Sequence, residues 1–143
     1  MGWAHPFASL QAGIALSLSS TELVVIVDDD PFVLAAASSL VRSFGWEARE
    51  FASAAAFLAS DVLTRTHCLI CDIQMTGMGG IELLDKLEAD GMRIPTLFIT
   101  ALASARTRAR VGASSALCVI EKPIDANEFE SWIRRALGHG QQN

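Results

Sequence analysis

Leu23-Val24-Val25-Ile26-Val27-Asp28-Asp29-Asp30-Pro31 is the stretch whose reading decides the fold. The five apolar residues read as a strand, and three carboxylates follow it without a break. A second apolar run, Cys68-Leu69-Ile70-Cys71, ends at a lone Asp72. The C-terminal ends of parallel strands share one edge of an open α/β sheet, the edge where such proteins place their sites. Carboxylates crowded on that edge repel one another unless a cation neutralises them. Oxygen ligands of this kind suit Mg²⁺, which takes one or two carboxylates and keeps several waters. An aspartate beside bound Mg²⁺ can also act as a nucleophile toward a phosphoryl group.

From Leu23 onward, strand and helix patterns alternate. Strand-like runs cover 23–27, 46–50, 67–71, 95–99 and 117–120, and helix-like runs cover 31–43, 53–60, 79–89, 103–111 and 125–137. Asp30 before Pro31 reads as an N-cap followed by proline at the first helical position. Asp125-Ala126-Asn127-Glu128 has the spacing of a capping box. Pro95 is expected to open the fourth strand, where its missing N–H costs least. Leu83, Leu84 and Leu87 fit the buried face of the third helix. Five strands alternating with helices imply a parallel sheet covered on both faces.

Composition narrows the function classes. The 143 residues fit one domain with a single core. With 51% hydrophobic residues and a mean hydropathy of +0.35, the chain can bury that core. A formal net charge of −5 and the absence of a Lys/Arg run argue against a nucleic-acid surface. No apolar stretch approaches the roughly 18 residues needed to span a bilayer. Residues 1–20 carry no acidic or basic residue except His5 and read as a leader outside the domain, with an accessory helix as the alternative. Cys68 and Cys71 match the C-x-x-C spacing of redox and zinc sites. On a strand, residues three apart point to opposite faces, so the two thiols are expected to be separate buried groups. Free buried cysteines fit a cytoplasmic setting.

Two further strand ends complete a constellation. Thr96-Leu97-Phe98-Ile99-Thr100 ends in a hydroxyl followed by Ala101, and Leu117-Cys118-Val119-Ile120-Glu121 runs into Lys122-Pro123. Carboxylates for a metal, a carboxylate acceptor, a hydroxyl and an ammonium at one edge make a phosphoryl-transfer site. Val-Asp-Asp-Asp at 27–30, Cys-Asp-Ile-Gln-Met at 71–75, Gly80, Ile-Thr-Ala at 99–101 and Glu-Lys-Pro at 121–123 resemble the receiver domain of two-component response regulators. The spacings are most similar to the nitrogen-fixation and LuxR-type receivers, and the resemblance covers roughly 22–138, leaving 1–21 as leader and 139–143 as tail.

The resemblance implies a flavodoxin-like doubly wound sheet of strand order 2-1-3-4-5 with five helices. It implies that Asp72 accepts a phosphoryl group from a sensor histidine kinase or phosphotransfer protein. It further implies that Asp29, Asp72 and the main-chain carbonyl of Gln74 ligate Mg²⁺ directly, with Asp28 acting through water. Thr100 and Lys122 would engage the phosphoryl oxygens, and the Lys122–Pro123 bond would be cis. The domain would be a cytoplasmic signalling module rather than an enzyme. Its effector would dock on the 103–137 face, and a homodimer is allowed. Arg106, Arg108 and Arg110 read as a solvated face, and Trp46 and Trp132 as packing residues. Thr76 stands where the family usually has proline, Ser115-Ala116 where it has Gly-Ala, and Val119 where it has an aromatic residue. The loop after Asp72 is therefore expected to be less rigid. Two rival readings remain. A pseudo-receiver would bind its partner constitutively. A haloacid-dehalogenase-like phosphatase would need Asp-x-Asp, and Asp72-Ile73-Gln74 lacks the second aspartate.

Overall fold

The computed structural model describes residues 21–139. Of the leader expected over 1–21 and the tail expected over 139–143, all but Thr21 and His139 lie outside the described residues. The elements run β1 (Leu23–Val27), α1 (Pro31–Ser43), β2 (Glu47–Phe51), α2 (Ala54–Leu58), a 3₁₀ turn (Leu63–Arg65), β3 (Cys68–Asp72), α3 (Gly80–Ala89), β4 (Thr96–Thr100), α4 (Ala105–Gly112), β5 (Cys118–Glu121) and α5 (Ala126–Ala136). All strand pairs are parallel, in the order β2-β1-β3-β4-β5, the expected topology.

Alternation along the strands divides the core in two. Leu23, Val25 and Val27 of β1, Leu69 and Cys71 of β3 and Phe98 of β4 pack with Phe57 of α2, Leu83, Leu84 and Leu87 of α3 and Val111 of α4. Val24, Ile26, Cys68, Ile70, Leu97 and Ile99 pack on the other face with Leu34, Ala37 and Val41 of α1 and Phe129 and Ile133 of α5. Every residue of β1, β3 and β4 is buried, as expected for central parallel strands with helices on both sides.

Local chemistry sets the helix starts. The Asp30 side chain accepts from Phe32 N–H at 2.9 Å, and Pro31 occupies the first turn. Asp125 accepts from Glu128 N–H at 2.8 Å, which is half of the capping box read at 125–128. A reciprocal side-chain bond of this type appears at α3, where Gly79 N–H donates to Glu82 Oε1 at 2.8 Å.

Several boundaries differ from the sequence reading. Strands β2 to β5 begin and end about one residue later than the apolar runs, so Trp46, His67, Pro95 and Leu117 precede their strands. Helix α2 is only five residues long, and the 3₁₀ turn was not anticipated. Trp46 packs edge-on against Phe44 and beneath Arg134, and Trp132 lies under Arg135, which places both tryptophans in packing roles. Cys68 and Cys71 are unpaired, buried and on opposite faces of the sheet. Burial raises the pKa of both thiols and pushes Cys118 up to about 12, conditions that disfavour a reactive thiolate.

Candidate functional site

The C-terminal strand ends bring the predicted residues together. Asp28 follows β1 and is fully buried, whereas its neighbour Asp29 is exposed. Asp72 is the last residue of β3 and Thr100 the last of β4, both nearly buried. Lys122 follows β5, and its N–H donates to Thr100 C=O at 2.8 Å, which aligns the β4 and β5 ends. The Lys122 Nζ lies 3.0 Å from Asp72 Oδ2 and 3.0 Å from Asp28 Oδ2. The Lys122–Pro123 bond is cis.

Oxygens of Asp28, Asp29 and Asp72 lie within 4.8 Å of one another, the cluster among the described residues able to hold a metal. Asp28 Oδ2 has Lys122 as a charge partner but accepts no aligned hydrogen bond, although it is buried. A buried carboxylate oxygen without a directed donor is costly. The donor set therefore fits a hard cation, which would supply the missing charge. Burial is the main cause of a raised Asp28 pKa; the Asp30 N–H and Lys122 lower it, and Asp72 raises it. Desolvation works to lower the Lys122 pKa, but the hydrogen bond to Asp72 and the nearby charges of Asp72 and Asp28 outweigh it and raise the value.

The backbone orients these carboxylates. Asp30 N–H donates to Asp28 Oδ1 at 2.8 Å, and Gln74 N–H donates to Asp72 Oδ1 at 3.1 Å. The third contact was missed in the sequence: Thr76 donates to Asp29 Oδ2 through both its N–H, at 2.9 Å, and its hydroxyl, at 3.2 Å. Its only sequence signal was a donor-bearing residue in place of proline. The loop after Asp72, expected to be looser for want of that proline, has a tie of its own. Gly80 opens α3 against the site. Its N–H bonds Ile73 C=O at 3.0 Å, and a Cβ there would come 2.5 Å from Asp72 C=O, which only glycine avoids.

Thr100 is less engaged. Its hydroxyl makes a long 3.4 Å contact with Leu102 C=O. Val119 is partly buried against the α2–α4 side of the core. Arg106, Arg108 and Arg110 are exposed as expected, and Arg108 pairs with Glu121 at 2.8 Å.

The family model of the response regulator receiver domain matches residues 24–134 of this chain. The chain belongs to the response regulator receiver family. The receiver is 36% identical over 115 residues to the response regulator protein TmoT of Ectopseudomonas mendocina, covering 80% of this chain and 52% of that protein. It is 29% identical over 119 residues to the transcriptional regulatory protein FixJ of Azorhizobium caulinodans, covering 83% and 56%. It thus spans about half the length of these curated relatives. A solved response regulator receiver protein from Burkholderia phymatum is 36% identical with a TM-score of 0.72, covering 82% of this chain and 96% of that one. The receiver is accordingly a signalling module of two-component systems, a class that binds Mg²⁺ at an acidic pocket and works with histidine kinases and effector domains.

Proposed function

We propose that this receiver is a phosphorylation switch whose acceptor is Asp72, loaded by a histidine kinase or a phosphotransfer protein. One observation carries the reading. A nearly buried strand-end carboxylate stands 3.0 Å from an ammonium and beside two further carboxylates, an arrangement suited to a dianionic adduct with a bound cation. An Asp72 oxygen attacks phosphorus, and a P–O bond forms as the P–N bond to the donor histidine breaks. The imidazole leaves with the electron pair and takes up a proton. Asp29, Asp72 and the Gln74 carbonyl would hold Mg²⁺, with Asp28 acting through water, and a bound ion would neutralise charge on the phosphoryl oxygens.

Lys122, shared by Asp28 and Asp72 in the unphosphorylated state, transfers its charge to the phosphoryl group. The Thr100 hydroxyl, held only by a long contact, is available to the same group. The new dianion then biases the surface of α4, β5 and α5, where an effector or a second copy docks. We assign the domain at 22–138 and a cytoplasmic location on the same reading.

Acetyl phosphate with Mg²⁺ tests it. Intact-mass analysis is expected to show one phosphoryl adduct in the native chain and none in Asp72→Asn. Equal labelling of that variant would remove Asp72 as acceptor. No adduct on the native chain would favour a pseudo-receiver that binds its partner constitutively.

A further inference from the structure

Each of the three carboxylates has one oxygen held by a main-chain N–H: Asp28 by Asp30, Asp72 by Gln74 and Asp29 by Thr76. The first two bonds span only two residues. The third spans 47 residues and joins the end of β1 to the loop after β3. It is doubled by the Thr76 hydroxyl on the same oxygen. A proline at this position could form neither bond, because it has no N–H and no hydroxyl.

We propose that Thr76 is a positioning residue for the cation: its two bonds on Asp29 Oδ2 set the Asp29 carboxylate, leave Oδ1 to ligate, and tie the Gln74 carbonyl loop to that ligand. The proposal rests on the metal reading given above. Asp29 is exposed, so its carboxylate must be ordered when a cation binds. Two donors on one oxygen meet that ordering cost in advance, which is the general basis of preorganised binding. Ligating carboxylates are commonly held by such outer hydrogen bonds, and loss of an outer partner typically weakens metal binding by about 10–100-fold. Thr76 is itself exposed, which places its effect at the low end of that range. Thr76 also lies two residues beyond Gln74, so the same bonds restrain the backbone that carries the third ligand.

The test is a Mg²⁺ titration followed by amide NMR shifts of residues 72–80, in the native chain, Thr76→Ser, Thr76→Ala and Thr76→Pro, each with and without Asp29→Ala. Thr76→Ser keeps both donors and is expected to match the native affinity. Thr76→Pro loses both donors and is expected to weaken binding about 10-fold, and Thr76→Ala, which keeps the N–H, is expected to weaken it by less. In the Asp29→Ala background these differences vanish, because the bonded carboxylate is gone. Native or tighter affinity in both Thr76→Ala and Thr76→Pro would overturn the proposal, since it would mean that the two bonds compete with the ion or do nothing. Equal weakening with and without Asp29 would overturn it as well, by showing a general loop effect. Failure of the metal reading is distinguishable: Asp29→Ala alone would then bind Mg²⁺ as the native chain does.

Discussion

Asp28 shows what the site costs the fold. Its carboxylate is fully buried, and its charge faces Asp72 as well as Lys122. Burial raises its pKa above the unfolded value, so the folded chain binds that proton more tightly. Stability from this group therefore falls as pH rises through the interval between the two values, and the full cost is present above both. Asp28→Asn keeps an acceptor for Asp30 N–H and removes the charge, while Lys122 retains Asp72. The variant is expected to melt a few degrees higher at pH 7 without metal, at about 4 °C per kcal/mol. That gain is expected to shrink as pH falls toward about 4, the ordinary aspartate value, because the raised pKa lets the folded chain take up this proton first. Thermal denaturation at the two pH values checks this; a lower midpoint for Asp28→Asn at pH 7 would show that the charged Asp28–Lys122 pair stabilises on balance. The acidic residues of the site were legible from their place after apolar runs. The unmatched Asp28 oxygen and the Thr76 bonds were not, because both depend on side-chain directions across strands far apart in sequence.

At the scale of elements, the strands β2 to β5 start and end about one residue beyond the reading. Side-chain polarity marks where the sheet meets solvent, whereas the ladder marks where pairing stops. Asp72 pairs with Ile99 and Thr100 with Glu121, so both polar residues remain strand. Helix α4 is a weakly held element of the proposed switch face. Val111 is its one buried residue, and three arginines line its exposed side. Few buried apolar contacts mean low local stability. With Val119 in place of an aromatic residue, β5 has no ring to turn. Its β-branched side chain has few χ1 choices, and it is partly packed. Phosphorylation is therefore expected to change backbone order mainly over 100–111, with little change at 117–121. Hydrogen exchange with and without beryllofluoride reads this directly. A larger change at 117–121 with 100–111 unmoved would locate the response in β5 instead.

For the whole molecule, both core layers and all the strand-end residues lie between Leu23 and Ile133, and the family match spans 24–134. Deleting residues 1–20 is expected to leave acetyl phosphate labelling of Asp72 intact and to move the thermal midpoint by less than about 4–8 °C, the equivalent of roughly 1 kcal/mol in a domain of about 100 residues. A larger fall would mean that the leader packs on the core. The sequence by itself determined the alternation of five strands and five helices, the parallel sheet and the edge that carries Asp28, Asp29, Asp72, Thr100 and Lys122. Apolar periodicity and strand-end polarity are local properties, readable in a single run of residues. Only the tertiary structure decided that Lys122 is shared between Asp28 and Asp72, that Asp28 keeps a buried oxygen without an aligned donor, and that Thr76 holds Asp29. Those contacts join residues 47 to 94 positions apart, and their geometry exists only once strand twist and register bring the strand ends to one edge.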